Sequence, residues 1–327
     1  MNTENLRKLI EKIDHERTGG IRSLVFIAAG GSNGGNYPAQ YFMDRESRTI
    51  RTQFFTSNEF VYAPPKFINL NTLAVITSMR GTPETCRAAA VAKEMGAVTI
   101  GLYIQESELT EICDYNIKYE SIMSDDADQG NTNAAWGLKI AMTVLDVVEG
   151  YRHYDKAMAA FSLVDPIYRE AVSRTRDLAA VWAEKNKEEK SIIVMGSGPA
   201  SAAAYIFSIC NIMEMLQISS PTVNCCEFFH GPFEVINKDT SVFLLLSAGR
   251  VRAADERVID FMNRYGGEKF YILDANETGL EQFDEDIREY YNHLIFAPIL
   301  NNVYMKALAA ATHKDYMDRT YMWKVRY

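Results

Sequence analysis

The run Ser23-Leu-Val-Phe-Ile-Ala-Ala29 leads directly into Gly30-Gly31-Ser32-Asn33-Gly34-Gly35, and this pairing of an apolar run with a glycine-rich turn sets the fold of the 327-residue chain. Uninterrupted apolar runs of this length are typical of parallel strands that are buried on both faces. Similar runs recur between helical patterns at Thr72–Ser78, Ala97–Tyr103, Ser191–Met195, Ser241–Ser247 and Lys269–Leu273. This alternation predicts an α/β protein with parallel sheets flanked by helices.

The order of strand, Gly/Ser turn and helix occurs twice along the chain. The second turn, Gly196-Ser197-Gly198-Pro199, also follows an apolar run, and a polar helical stretch from Arg152 to Lys190 separates the two halves. We therefore predict two tandem lobes, residues 1–151 and residues 152–327, each a three-layer α-β-α unit of the flavodoxin-like kind. The aromatic segment Asp315–Tyr327 is expected to pack back on the protein.

Composition and charge argue against several classes of function. The chain has 34 Lys and Arg against 43 Asp and Glu, a net charge of −9 and no dense basic run, so nucleic acid is not an expected partner. Neither a signal peptide nor a run of about 18 apolar residues is evident, which favours a cytoplasmic protein without a membrane span. The five cysteines are expected to be reduced, and a redox role for adjacent Cys225 and Cys226 stays open.

Two polar turns contain groups that suit a phosphate. A Gly-rich turn at a helix N-terminus offers unpaired N–H groups and the positive end of the helix dipole, although a purely structural turn fits Gly30–Gly35 about equally well. The second turn, Ser78–Thr82, opens a helix with Thr82 as N-cap and Pro83 at its first position. Together the turns predict a monophosphate site with donors from Gly31, Ser32, Ser78, Arg80, Gly81 and Thr82.

Neither a dinucleotide cofactor nor a metal is predicted. The dinucleotide fingerprint needs G-x-G-x-x-G and an acidic residue at the end of the next strand, whereas Arg51-Thr52-Gln53-Phe54 has none. His15, His153, His293 and His313 lack the spacing of metal ligands.

The second half of the chain contains the segments on which a family resemblance rests. Glu214 lies in Ile212-Met-Glu-Met215, and Glu227-Phe-Phe-His230-Gly-Pro-Phe-Glu234 follows. With the G-G-S and S-x-x-G-T-P-E-T turns of the first half, these segments resemble the SIS (sugar isomerase) family, especially the isomerase domain of glucosamine 6-phosphate synthase. Tyr321-Met-Trp-Lys-Val325 narrows the resemblance to the fructosamine 6-phosphate deglycases, over essentially the whole chain.

This resemblance implies a reaction and its residues. It implies hydrolysis of a 6-phosphofructosyl amino acid to glucose 6-phosphate and the free amino acid, with Glu214 and His230 catalytic, Glu227 in support and no cofactor. It also implies a homodimer whose active site is completed across the interface. Where the synthase tail has a sugar-opening lysine, this chain has Trp323, with Lys324 one place later. That departure, with no glutaminase domain in the chain, favours deglycation over amination.

The residue pattern itself supports roles for Glu214 and His230. Helical spacing predicts that Glu214 lies beside Cys210 and Phe207, where a carboxylate is partly desolvated and suited to proton transfer, although a glutamate that reaches solvent or pairs with a basic group is about equally common. The opposite, apolar face is predicted from Tyr205, Ile206, Ile209, Ile212, Met213 and Leu216. His230 precedes Gly231-Pro232, in a turn that can present an imidazole to a cleft.

Other functions stay open on the sequence. Aldose-ketose isomerisation and sugar-phosphate deamination use similar proton transfers, and SIS lobes also serve as sugar-phosphate sensors. A sensor usually carries a helix-turn-helix, for which the roughly twenty residues before the first strand leave little room. The sequence does not reveal whether the substrate carries lysine, aspartate, asparagine or another amino acid, nor any assembly beyond a dimer.

Overall fold

The computed structural model describes residues 1–326 and divides into two compact units, Met1–Ser162 and Leu163–Tyr327. The division falls inside a 33-residue helix, Tyr154–Asn186, whereas the boundary predicted from the sequence lies just before this helix. Each unit has its own parallel sheet.

The first unit alternates helices and strands around one five-stranded sheet. Its elements are α1 Thr3–Glu16, β1 Ser23–Ala28, α2 Gly30–Glu46, β2 Arg51–Thr56, α3 Ser57–Tyr62, β3 Thr72–Thr77, α4 Pro83–Glu94, β4 Val98–Tyr103, α5 Glu108–Ile112, β5 Tyr115–Lys118, α6 Asn133–Val148 and the start of α7 Tyr154–Asn186. The strands are parallel in the order β2-β1-β3-β4-β5, which is the flavodoxin-like order.

The second unit repeats this order with four parallel strands, β7-β6-β8-β9. Its elements after α7 are β6 Ile193–Gly196, α8 Pro199–Ile206, the π-helix π1 Phe207–Met215, β7 Thr222–Asn224, β8 Val242–Leu246, α9 Arg252–Tyr265, β9 Phe270–Asp274, α10 Asn292–Ile299, the π-helix π2 Leu300–Met305 and α11 Lys306–Ala311. Short 3₁₀ turns occupy Gln129–Asn131 in the first unit and Pro232–Val235, Leu280–Gln282 and Arg288–Tyr291 in the second.

The predicted α/β class with two parallel-sheet lobes is confirmed. The six apolar runs form β1, β3, β4, β6, β8 and β9, each beginning and ending within two residues of its predicted bounds. Every residue of β1 and β3 is buried, which explains their continuous apolar sequence. The edge strands β5 and β7 were not predicted because they have only four and three residues and include polar, partly exposed positions.

The glycine-rich segment after β1 forms the first turns of a helix, which corrects the prediction of a separate turn. α2 begins at Gly30, directly after its N-cap Ala29. Gly30 has φ +56°, a left-handed value that lets the chain pass from strand to helix within one residue. A Cβ on Gly35 would collide with the Asn133 side chain, because α2 packs closely on α6. The backbone N–H groups in the first turn of α2, which have no partner within the helix, therefore lie at the carboxyl end of β1.

The helix that contains Glu214 is a π-helix over nine residues, and this changes the faces predicted from α-helical spacing. Phe207 is fully buried, whereas Met213, assigned to the apolar face, is 46% exposed. The π-helical i→i+5 hydrogen bonds rotate successive side chains away from their α-helical positions. Asn211 Nδ2 donates to Asn301 Oδ1 at 2.8 Å, and these two buried amides link π1 to π2.

The stretch Arg288–Ala311 is the one helical run in residues 1–326 that has the length and mean hydropathy of a membrane span. Within its most apolar 18 residues, 72% is buried inside the protein. It therefore has the properties of a core helix. The stretch meets these criteria on its mean hydropathy, and it contains no unbroken run of 18 apolar residues because Asn and His interrupt it.

The Glu149 side chain accepts hydrogen bonds from the loop between α2 and β2. We therefore expect Glu149→Gln to destabilise the first unit. Its carboxylate accepts from the backbone N–H groups of Arg48, Thr49 and Ile50 and from the hydroxyl of Ser47. Desolvation opposes the charged form, but these hydrogen bonds outweigh it and lower the pKa of Glu149 to about 2. The stabilisation is thus present above the ordinary pKa and lost as the pH falls toward 2.

Thermal unfolding of wild type and Glu149→Gln from pH 7 to pH 2.5 tests this prediction. The variant should have the lower Tm at pH 7, and the two curves should converge as the wild-type carboxylate is protonated. A Tm difference that does not change with pH would contradict the prediction.

Candidate active site

The two polar turns of the first unit lie side by side at the carboxyl edge of its sheet. β1 and β3 are neighbours in register, with Ala28 opposite Thr77, so the segments that follow them begin next to each other. β1 and β3 flank the point where the strand order reverses, which is where ligands bind in open α/β sheets. The structure thus brings the Gly31-Ser32 and Ser78–Thr82 segments together, as predicted from their positions after two strands.

Ser32 in the first turn of α2 contacts a residue that the sequence analysis missed. The side chain of Tyr119, just beyond β5, lies near Ser32, and burial raises the pKa of Tyr119 to about 12. Tyr119 is therefore neutral and can donate. Ala29, the N-cap of α2, supplies no side-chain hydrogen bond to the first turn. The N–H groups of that turn and two hydroxyls are thus suited to an anion.

The second turn is held by its own hydrogen bonds. The buried Ser78 hydroxyl accepts from the Thr82 N–H at 3.0 Å, and the Thr82 hydroxyl donates to Thr85 at 2.9 Å. Gly81 has φ +68°, and a Cβ there would collide with the Ser107 side chain. Arg80 is exposed and has no ion pair within residues 1–326. The turn is rigid, and its guanidinium is available to an anionic ligand.

In the second unit the turns after β6 and β8 correspond to the two polar turns of the first unit. Their hydrogen-bond donors are paired with a carboxylate of the protein itself. Ser197 follows β6 and Ser247 follows β8, and both are fully buried around Asp255. Ser197 Oγ donates to Asp255 Oδ1 at 2.5 Å, and the Ser247 N–H donates to Oδ2 at 2.9 Å. Burial, together with this carboxylate, also raises the pKa of the Cys225 thiol. An anion here would have to displace a buried carboxylate, so these donors favour phosphate binding in the first unit alone.

Glu214 lies in the last turn of π1 and is held by a residue from the C-terminal tail. Its side chain is 24% exposed, and Oε1 accepts from Arg319 Nε at 2.8 Å. Residues 1–326 provide no hydrogen bond or ion pair to Oε2. The carboxylate is therefore fixed at one oxygen and open at the other, which suits a group that accepts a proton.

An aromatic platform presents His230 at the surface. Phe228 is 1% exposed and packs on Phe261, with ring centroids 5.4 Å apart, and Phe229 packs on the same ring at 5.8 Å. Gly231, at φ +129°, lets the chain turn immediately after the histidine. His230 itself is exposed, as is Glu227. No hydrogen bond between the His230 side chain and Glu227 or Glu214 occurs in the described chain.

Within residues 1–326, neither of the two tail residues singled out from the sequence has a hydrogen bond or ion pair with Glu214. Lys324 Nζ pairs with Asp318 at 2.6 Å. Trp323 is 69% exposed, and the Arg319 guanidinium lies over its ring, 5.6 Å from the centroid. Arg319, which the sequence analysis did not select, is thus the tail residue that reaches Glu214.

Comparison with known proteins identifies the family. The chain is 33% identical over 309 residues to the fructosamine deglycase FrlB of Bacillus subtilis, an alignment that covers 94% of this chain and 93% of the relative. The chain belongs to the fructosamine deglycase branch of the SIS family. No protein-family model matches it. The family assignment confirms the resemblance found from the turns and from the Glu214 and His230 segments.

Solved structures agree with this assignment. A candidate phosphosugar isomerase of Salmonella typhimurium is 38% identical and superimposes with a TM-score of 0.95 over 99% of both chains. The C-terminal domain of glucosamine-fructose-6-phosphate aminotransferase from Francisella tularensis has a TM-score of 0.77 at 12% identity, over 97% of this chain and 94% of that domain. The latter likeness concerns the fold alone.

Proposed function

We propose that the protein hydrolyses a 6-phosphofructosyl amino acid to glucose 6-phosphate and the free amino acid. The observation that carries the proposal is the 33% identity to a fructosamine deglycase over nearly the full length of both chains. Fructoselysine 6-phosphate deglycase of Escherichia coli is a more distant relative, 20% identical over 253 residues, covering 75% of this chain and 71% of that protein. We place the reaction in the cytoplasm, where phosphorylated sugars are retained.

The proposed phosphate donors are Gly31, Ser32, Ser78, Arg80, Gly81 and Thr82. The unpaired N–H groups at the start of α2, the rigid Ser78–Thr82 turn and the exposed Arg80 guanidinium support this role. A phosphate far from the reacting carbon supplies binding energy that can position the sugar.

In the proposed reaction Glu214 acts first as a general base at C1 and then as a general acid at C2. Its open Oε2 removes a proton from C1 of the ketosamine while solvent protonates the C2 carbonyl oxygen, which gives an enaminol. Glu214 then returns a proton to C2, and the nitrogen releases its proton to solvent. The product is an imine between C1 and the amino-acid nitrogen. Water adds to this imine, and the C–N bond breaks to release glucose 6-phosphate and the amine. The reaction as a whole involves no net oxidation or reduction, so a redox cofactor is not required.

We assign His230 to sugar-ring opening, in which an imidazole transfers a proton to the ring oxygen. Its exposed position on the aromatic platform, with no hydrogen bond or ion pair to Glu214 among residues 1–326, supports a role in the site of a second copy. We therefore propose a homodimer with Glu227, Trp323 and Lys324 in supporting roles. The exposed Tyr321 and Trp323 are apolar surface that such an assembly would cover.

A coupled assay of glucose 6-phosphate release across 6-phosphofructosyl lysine, aspartate and asparagine tests the function. Glucose 6-phosphate and free amino acid should form in equal amounts from at least one adduct. Isomerisation of a free sugar phosphate, or ammonia release without an amino acid, would instead identify an isomerase or a deaminase. Binding without turnover would indicate a sensor.

For the phosphate site, we expect Ser32→Ala and Thr82→Ala each to raise KM by about 10-fold or more. Each variant loses a hydrogen bond to a charged group, worth about 1.5–3 kcal/mol. The measurement is steady-state kinetics on the phosphorylated adduct and on its unphosphorylated analogue. Thr18→Ala, an exposed threonine of the same unit, is the matched control and should leave KM unchanged. Equal turnover of the two substrates by the wild type would refute the phosphate assignment.

A further inference from the structure

Arg319 is the one buried residue between His313 and Arg326, with 5% exposure. The same segment contains large apolar side chains that remain exposed, among them Met317 at 57% and Tyr321 at 71%. A tail that served only to cover apolar surface would bury those side chains instead. The tail is therefore attached to the protein through a charged group.

Arg319 has three polar or aromatic contacts within residues 1–326, and its charged hydrogen bond is to Glu214. Nε donates to Glu214 Oε1 at 2.8 Å, Nη1 donates to the carbonyl of Tyr316, and the guanidinium lies over the Trp323 ring. The carbonyl and the ring restrain a long side chain that would otherwise be mobile, so the charged hydrogen bond to Glu214 has a fixed direction. Burying an arginine and a glutamate costs desolvation energy, which makes this pair a poor choice for anchoring alone.

We propose that Arg319 is a positioning residue that fixes Oε1 of Glu214 and thereby aims Oε2 at C1 of the substrate. This inference rests on the proposed role of Glu214 as the base. A carboxylate at the end of a helix can rotate about its side-chain bonds, and proton transfer is efficient only when the accepting oxygen lies within hydrogen-bond reach of the carbon-bound proton. Anchoring one oxygen removes that freedom and leaves the other free to react.

The test compares Arg319→Met and Arg319→Lys with wild type, using substrate with hydrogen or deuterium at C1. Arg319→Met should lower kcat by about 100-fold, the effect expected from a misplacement of about 1 Å, with KM little changed. The C1 deuterium isotope effect on kcat should exceed that of wild type, because proton removal becomes the slow step. Arg319→Lys keeps one charged donor and should recover part of kcat.

Arg326→Met is the matched control, since Arg326 is an exposed tail arginine without an ion pair in the described chain. Its kcat and isotope effect should equal those of wild type. A variant that merely fails to fold would lose active protein without a change in the isotope effect, so kcat is expressed per folded enzyme in every comparison. A lower kcat of Arg319→Met with the wild-type isotope effect, or an unchanged kcat, would overturn the proposal.

Glu214→Gln and the double variant separate this proposal from the proposed function. If Arg319 acts only through Glu214, the double variant should be no slower than Glu214→Gln alone. If Glu214→Gln is inactive but Arg319→Met has wild-type kinetics, the positioning role fails and the base assignment stands. If Glu214→Gln remains active, the proposed function of Glu214 itself fails.

Discussion

Glu214→Gln is expected to lower kcat by about 10²–10⁴-fold, the range found when a general base is removed. Glutamine has the shape of glutamate and can still accept a hydrogen bond from Arg319 at its amide oxygen. It cannot accept a proton from C1. Since Arg319 Nε lies 2.8 Å from Oε1, the amide can keep the local geometry, and the loss should appear in kcat rather than in folding.

The measurement is steady-state release of glucose 6-phosphate, with Tm and substrate affinity determined for the same preparations. Glu188→Gln, an exposed glutamate of the same unit, serves as the control and should be fully active. Because the substitution leaves the phosphate donors untouched, KM should change little. Activity of Glu214→Gln within a few-fold of wild type would remove Glu214 from the mechanism.

The central strands and the phosphate segments were predictable because their signals are local. β1 and β3 are buried on both faces, so their apolar runs stand out, and the Gly and Ser residues that follow each strand are adjacent in sequence. Edge strands carry a weaker signal, since most positions of β2 are exposed or half-buried and only Phe55 is buried. The first turns of α2 read as a loop because glycine is a poor helix former.

The arrangement around Glu214 was less predictable because it depends on distant residues. The π-helical register of π1 is associated with the buried pair Asn211 and Asn301, which are 90 positions apart in sequence. Arg319 lies 105 positions from Glu214, and its own neighbours Asp318 and Thr320 give no indication that it is buried. Asp255 likewise reads as an ordinary helix carboxylate, although it is fully buried among serine donors.

The exposed position of His230 is the structural basis for the last prediction. In the proposed reaction His230 acts on the sugar-ring oxygen, and its exposed side chain has no hydrogen bond to Glu214 within its own described chain. Phe228 and Phe229 pack on the Phe261 ring and hold the adjacent histidine at the protein surface. From this surface position we expect His230 to enter the site of a partner subunit in the proposed homodimer.

Mixing inactive Glu214→Gln with inactive His230→Ala, after partial unfolding and reassembly, should therefore restore activity. A mixed dimer would hold one site with both residues intact and one site with both changed. Random exchange of equal amounts places half of the chains in mixed dimers, so about a quarter of wild-type activity is expected. Each variant unfolded and reassembled alone is the control and should stay inactive. Mass spectrometry of the mixture would measure subunit exchange directly. Exchange without recovered activity would show that each chain builds its own site, and the assignment of His230 to the partner's site would have to be abandoned.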